Sequence, residues 1–255
     1  MNGSSQRVID NEYVSSVDVI RDLHDLADPV RAAHSARYFK TGPGEYGEGD
    51  TFIGLTVPQV RQIAAVHKSL PPAEILELLH SHEHEVRLCA LIILVNRYKR
   101  AKSEVERSEL FALYLTSVRD GFVNNWDLID TSAPTFGEYL LPDKDRRDLL
   151  LELAQSDSLW ERRLSIMFTF ALIRVNEFDD ALALAEYHLG DSHDLMHKAC
   201  GWMLREIGKR DVEVLRGFLS THAAVMPRTE LRYAIEKLDE DERQYWLSVR
   251  SKAVY

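Results

Sequence analysis

This sequence predicts an all-α fold of stacked helical repeats, on three observations. Apolar residues recur at three- and four-residue spacing through nearly every segment. No run alternates in the manner of a half-buried strand. Similar helical stretches recur roughly every 35 to 40 residues: "VRLCALIILV" from Val86, "WDLIDTSAPTF" from Trp126, "ERRLSIMFTF" from Glu161 and "HKACGWMLRE" from His197. That period belongs to helical-pair repeats of the HEAT and armadillo kind. One amphipathic pair cannot bury both of its faces, so HEAT-like pairs stack on a shared core and curve into a solenoid (a superhelix) with a concave groove. An ordinary helical bundle satisfies the same periodicity.

The first two candidate helices, 16–27 and 29–40, rest on apolar spacing. Thr56 with Pro58 opens a third at 56–69, and Pro71-Pro72 opens a fourth at 72–81, since proline suits a first turn whose N–H groups lack helical partners. Candidates 83–100 and 103–119 follow, the former holding "VRLCALIILV". Asn125 is a good N-cap for 124–139, Asp127 favours the positive end of that helix dipole, and Pro134 is placed to kink it. Asp143 can cap 144–155, which contains "RRDLLLELAQS". Spacing alone carries 158–175, 178–189, 193–210, 212–225 and 228–250. Together they form one all-α domain over 1–255, with 1–14 a flexible tail.

A chain of 255 residues with 45% apolar content can bury a full core. No apolar run reaches the roughly 18 residues of a membrane span, and "MNGSSQRVIDNEY" lacks a signal-peptide pattern, so a soluble cytoplasmic protein is expected. Cys89 and Cys200 sit in apolar helical patterns without CxxC spacing and read as small buried hydrophobes. The net charge of −10 opposes phosphate at long range. Between His197 and Lys237 the sign reverses: Lys198, Arg205, Lys209, Arg210, Arg216, Arg228, Arg232 and Lys237 face five acidic residues, so a basic stripe is possible.

Three stretches read as structural. The loop "KTGPGEYGEGDTFIG" at 40–54 is rich in glycine but carries Glu45, Glu48 and Asp50 where a phosphate cradle needs a cation. It is expected to be a connector, with a role at the rim of a groove left open. His80, His82 and His84 in "HSHEHEVR" alternate at i, i+2, which splays them on a helix, so solvated or capping roles are expected in place of a metal site. "LDEDER" at 238–243 reads as a solvated helix face. No GxSxG, HExxH or Walker pattern occurs, and neither metal nor cofactor is expected.

The repeated inner helices carry the chemistry-bearing residues. Trp126 and Asp130 are i, i+4 neighbours, whereas Ile129 and Ala133 point elsewhere as core residues. Trp202 follows Gly201, which permits a close approach to the backbone, and Arg163 opens the apolar helix "LSIMFTFALI". They occupy equivalent places in successive repeats, so stacking would line up two indoles, a carboxylate and a guanidinium.

The ordered set "ARYF" (36–39), "NNWDLIDTSAPTF", "LWERRLSIMFTF", "HKACGWMLREIGKRD" and "MPRTELRYAIEKL" resembles the AlkD-type alkylpurine DNA glycosylases over about residues 30 to 240. The resemblance implies a HEAT-like solenoid that excises cationic alkylated purines, of 3-methyladenine and 7-methylguanine type, from duplex DNA while the base stays stacked. It puts the catalytic carboxylate on Asp130, the groove tryptophans on Trp126 and Trp202, and a phosphate-contacting arginine on Arg163. Tyr38, Arg205 and Lys198 become further DNA contacts. Relative to the family pattern, the loop at 40–54 is longer and the chain more acidic.

These residue types suit that reaction. Alkylation at N3 or N7 makes the purine a cationic leaving group, so the remaining barrier is the oxocarbenium character that grows on the sugar. A carboxylate stabilises that charge and orients water. Indole faces attract a cationic sugar or base by about 0.5–2 kcal/mol each. A non-catalytic binder of damaged or branched DNA and a protein-interaction solenoid are the alternatives. The charge of the groove separates the last of these from the other two.

Overall fold

The computed structural model describes residues 15–142 and 145–249. Fourteen α-helices make up the described residues, with two short 3-10 turns and no strand. None of these helices is long and apolar enough to cross a membrane. The expected tail at 1–14 and the expected cap Asp143 lie outside the described residues.

Local chemistry sets most helix starts. Ser15 and Asp18 form a reciprocal capping box at α1 (Ser16–His24), and Asp28 accepts from the Val30 and Arg31 N–H groups at α2 (Pro29–Tyr38). The Thr56 N–H donates to Gln59 Oε1 at 2.9 Å where α3 (Val57–Val66) begins. Pro72 stands first in α4 (Pro72–Leu79), and Ser103 caps α6 (Glu104–Arg119). Asn125 caps α7 (Trp126–Phe136), which runs through Pro134 and tightens into a 3-10 turn over Gly137–Leu140. Ser158 and Asp211 cap α9 (Leu159–Arg174) and α12 (Val212–His222).

The expected last helix, 228–250, is two: α13 (Arg228–Ala234) and α14 (Glu240–Ser248). Asp239 accepts from the Glu242 N–H at 2.9 Å and starts the second, which divides the acidic "LDEDER" run by role. Glu242 then pairs with Arg216 and accepts from the Trp246 indole.

The helices form two tiers. In the inner tier α5 (His84–Arg100), α7, α9, α11 (Asp194–Gly208) and α13 pack each on the next. The outer tier places α6 on α5, α8 (Arg146–Ala154) and α10 (Asp179–Tyr187) on α9, and α12 on α11, while α1, α3 and α4 close the N-terminal end. This is the helical-pair arrangement that the 35-to-40-residue recurrence implies. α5 is buried almost all round, from His84 to Val95, which explains why its sequence is nearly continuous in apolar residues. Cys89 and Cys200 are buried free thiols, and burial pushes Cys89 up to about 12.

Gly201 serves packing between helices. A Cβ there would lie 2.5 Å from the Glu230 carbonyl oxygen and 2.6 Å from Tyr233 Cβ, so α13, and no ligand, takes up the close approach. α2 differs from its neighbours in burying none of its own residues. It is held by its ends, through the Asp28 N–H to Ile53 O at 2.9 Å and through Phe39 stacked on Phe52.

Candidate active site

The start of α7 is anchored by a buried polar network. Asp50, at the end of the glycine-rich loop, bonds His84 Nδ1 at 3.0 Å, the Arg87 guanidinium at 2.5 Å and Asn125 Nδ2 at 3.3 Å. His84 Nε2 reaches Asp127 Oδ2 at 2.9 Å. Burial disfavours a charged imidazole here, but Asp127 and Asp50 on its two nitrogens outweigh that and hold His84 at about 9. Burial would raise the Asp50 carboxyl, but His84 and Arg87, with the Asn125 amide, outweigh that and hold it low. Glu85 accepts from the N–H groups of Ile53, Gly54 and Leu55 at 3.1, 2.8 and 3.2 Å, which pins the loop's exit to α5. His84 is therefore a buried clamp, which corrects the solvated or capping role expected of it, whereas His80, at the C-cap of α4, and His82 are exposed as expected. Among the described residues no group of His, Cys, Asp and Glu could hold a metal ion.

From that anchor α7 presents Trp126 and Asp130 to open space, while Ile129 and Ala133 are fully buried as expected. Trp126 stacks on Phe39 with centroids 5.5 Å apart and meets Tyr38 edge-on at 6.2 Å. Trp202, on α11, packs against Phe170 at 6.0 Å, and its indole N–H donates to Glu206 at 3.1 Å. Both rings are thus held by partners before any ligand arrives.

Arg163 is placed differently from the expectation. Its guanidinium is buried, with Nε and Nη2 donating to the two oxygens of Asp130 at 3.0 and 2.8 Å and Nη1 donating to Leu195 O. A guanidinium committed this way is turned from any phosphate toward the carboxylate. Burial raises the Asp130 carboxyl above its ordinary value, and Arg163 opposes that rise. The side chain of Asp130 keeps 16% exposure, and a carboxylate has about four lone-pair sites of which Arg163 uses two, so Arg163 does not saturate it.

Two hollows meet at these residues. The larger, about 860 Å³, is lined by Trp126, Asp130, Trp202, Tyr38 and Lys198, with Tyr46 from the glycine-rich loop. The smaller, about 380 Å³, shares Trp126, Asp130 and Trp202. Cations border both: Arg37, Lys40 and Lys198 the larger, Arg61, Lys99 and Arg174 the smaller, against Asp127, Asp130 and Asp194. Among the described residues no carboxylate lies within 4.0 Å of Arg37, Arg61 or Lys99. Cations thus outnumber carboxylates on these walls in a chain whose total is −10, although Lys40, Lys198 and Arg174 pair with Glu45, Asp194 and Glu138.

The structure therefore brings Trp126, Asp130, Trp202, Arg163, Tyr38 and Lys198 together. Arg205 lines neither hollow; it pairs with Glu236 and lies 3.9 Å from Glu206. The basic stripe expected over 197–237 contributes only Lys198 to these walls, itself paired with Asp194 at 2.8 Å, and Lys209, Arg216 and Lys237 pair with nearby glutamates elsewhere. Sequence reading missed Arg37, Lys40, Arg61, Lys99 and Arg174, which come from four separate segments, the end of α2, α3, α5 and α9, with only Arg37 inside a family-like motif. Tyr46 had a signal, as the one large aromatic amid glycines and acids at 42–50.

A sequence profile for DNA alkylation repair enzymes matches residues 19–238. Among solved structures, one described as a predicted DNA alkylation repair enzyme from Enterococcus faecalis has a TM-score of 0.65 to this chain. Identity is 17%, over 84% of this chain and 97% of that one, a likeness that shows the fold. No curated protein matches the chain.

Proposed function

Because the chain belongs to the DNA alkylation repair enzyme family, we propose that it is a monofunctional DNA glycosylase for base excision repair. It hydrolyses the N-glycosidic bond of cationic alkylated purines, of the 3-methyladenine and 7-methylguanine type, in duplex DNA. The observation that carries this reading is the Asp130 carboxylate, held by Arg163 and open to a groove walled by Trp126 and Trp202.

The purine leaves with the electron pair of the C1′–N bond, which neutralises the positive charge that alkylation placed on its ring. The sugar gains oxocarbenium character as the bond breaks. The Asp130 carboxylate stabilises that charge, orients the water that adds to C1′ and takes the proton that water loses, while Arg163 fixes both carboxylate oxygens. Trp126 and Trp202 offer π faces to the cationic sugar or base, each worth about 0.5–2 kcal/mol. Arg37, Lys40 and Lys198 on one side, and Arg61, Lys99 and Arg174 on the other, hold the flanking phosphates. One chain supplies every group named, so the enzyme acts as a monomer, in the cytoplasm and on the nucleoid when bound to DNA.

The test is base release from methylated duplex DNA, wild type beside Asp130→Asn. Loss of roughly 100-fold or more in the variant is expected, the scale at which a positioned electrostatic group acts. Equal rates in the two proteins would sink the mechanism. Salt-sensitive lesion binding without release by the wild type would favour the non-catalytic DNA binder.

A further inference from the structure

The glycine-rich loop between α2 and α3 is organised around one aromatic side chain. Glu45 accepts from the Gly42 N–H at 3.0 Å and Glu48 from the Gly44 N–H at 2.8 Å, so two of its acidic residues brace the loop's own backbone. Gly44 and Gly49 take φ of +76° and +88°, left-handed turns that glycine adopts without strain. Between them the Gly47 N–H donates to Lys40 O at 3.0 Å, and past them the loop ends on the buried Asp50.

Held from both sides, Tyr46 projects into the larger hollow. Its ring meets Trp160 edge-on at 6.1 Å and His193 at 6.3 Å, on α9 and at the start of α11. It shares the lining of that hollow with Trp126, on α7. A side chain delivered from the N-terminal end thus meets two successive inner elements and lines a hollow with a third, beside Asp130.

We propose that Tyr46 is a positioning and specificity-determining residue of this site: its ring forms the wall that the lesion nucleotide packs against, and it limits the size of alkyl group admitted. The proposal rests on the excision reading above. The hollow's 860 Å³ lies in the range of about 300–1,000 Å³ typical of sites that enclose a small organic group. Its walls carry the rings of Tyr38, Tyr46, Trp126, Trp202 and Tyr233 and the Asp130 carboxylate, with Arg37, Lys40 and Lys198 placed for the nucleotide's phosphates. A cationic alkylpurine nucleotide matches that combination, because rings attract the cation and the carboxylate attracts the developing sugar charge. Of the five rings Tyr46 is the one carried by a loop, so its removal enlarges the hollow without opening a helix interface.

The experiment compares wild type, Tyr46→Phe and Tyr46→Ala on duplexes bearing one 7-methylguanine or one 7-benzylguanine. It reads kcat and KM separately, together with binding preference over undamaged duplex. Tyr46→Ala should raise KM for the methyl lesion about tenfold, the effect of removing one base–aromatic contact, with a smaller change in kcat and a gain on the benzyl lesion. Tyr46→Phe should behave as wild type, because the ring is kept. Unchanged KM and unchanged methyl-over-benzyl preference in Tyr46→Ala would overturn the proposal, as would a Tyr46→Phe variant as impaired as Tyr46→Ala. If the wild type releases neither base, the excision reading fails and binding decides Tyr46: preference lost in Tyr46→Ala supports its role, and preference unchanged or absent from the wild type overturns it.

Discussion

At Asp130 burial and charge act against each other. Desolvation raises its carboxyl above the ordinary 3.8, and the Arg163 guanidinium opposes the rise. Catalysis as proposed needs the ionised form, so activity should fall as pH drops through a value above that of a free aspartate. Arg163→Met removes the opposing charge and should move the acid limb of the kcat–pH profile further up. It should also cost up to about 3–5 kcal/mol of stability, because a mostly buried carboxylate loses its partner. An acid limb at the same pH in both proteins would contradict this account of Asp130. The shared face of Trp126 and Asp130 was legible from their four-residue spacing. The role of Arg163 was not, because a pairing across 33 positions and two helices leaves no local pattern.

Between elements, the α11–α13 interface holds a buried carboxyl without a hydrogen-bond partner among the described residues. Glu230 is fully buried, with neither carboxylate oxygen bonded among the described residues, and burial alone raises it to about 8. Its folded value exceeds that of the unfolded chain, so its contribution to stability is fully present below pH of about 4.5 and is lost as pH rises to about 8. Glu230→Gln should flatten that decline and raise the melting temperature at pH 8 relative to wild type; thermal unfolding across pH 5 to about 9 measures it. Parallel curves for the two proteins would show that Glu230 does not stay neutral on folding.

Helix positions were mostly legible, because caps such as Ser103, Asn125 and Asp211 and the apolar period act within a turn or two. The break between α13 and α14 was missed because Leu238 continues the apolar period across it. Only the turn into the Asp239 cap shows that the chain changes direction.

Over the whole molecule, the net charge of −10 and the proposed DNA substrate are reconciled by where the unpaired cations lie. Arg205, Arg216 and Lys209 pair with carboxylates, whereas Arg61, Lys99 and Arg37 line the groove without one among the described residues. Each phosphate neutralised adds close to one unit to the dependence of log K on log salt. Replacing both Arg61 and Lys99 by Gln should therefore reduce that slope by about two in duplex titrations at several salt concentrations. An unchanged slope would mean that DNA does not reach the smaller hollow. Sequence alone determined the helical-repeat fold and the identity of the groove-facing pair on α7, since apolar period, caps and i, i+4 spacing act along one helix. Tertiary structure decided that Arg163 serves the carboxylate, that the glycine-rich loop delivers Tyr46, and that cations outnumber carboxylates along the groove. Each depends on side chains from distant segments converging, which stacking of helices in space creates and linear order does not record.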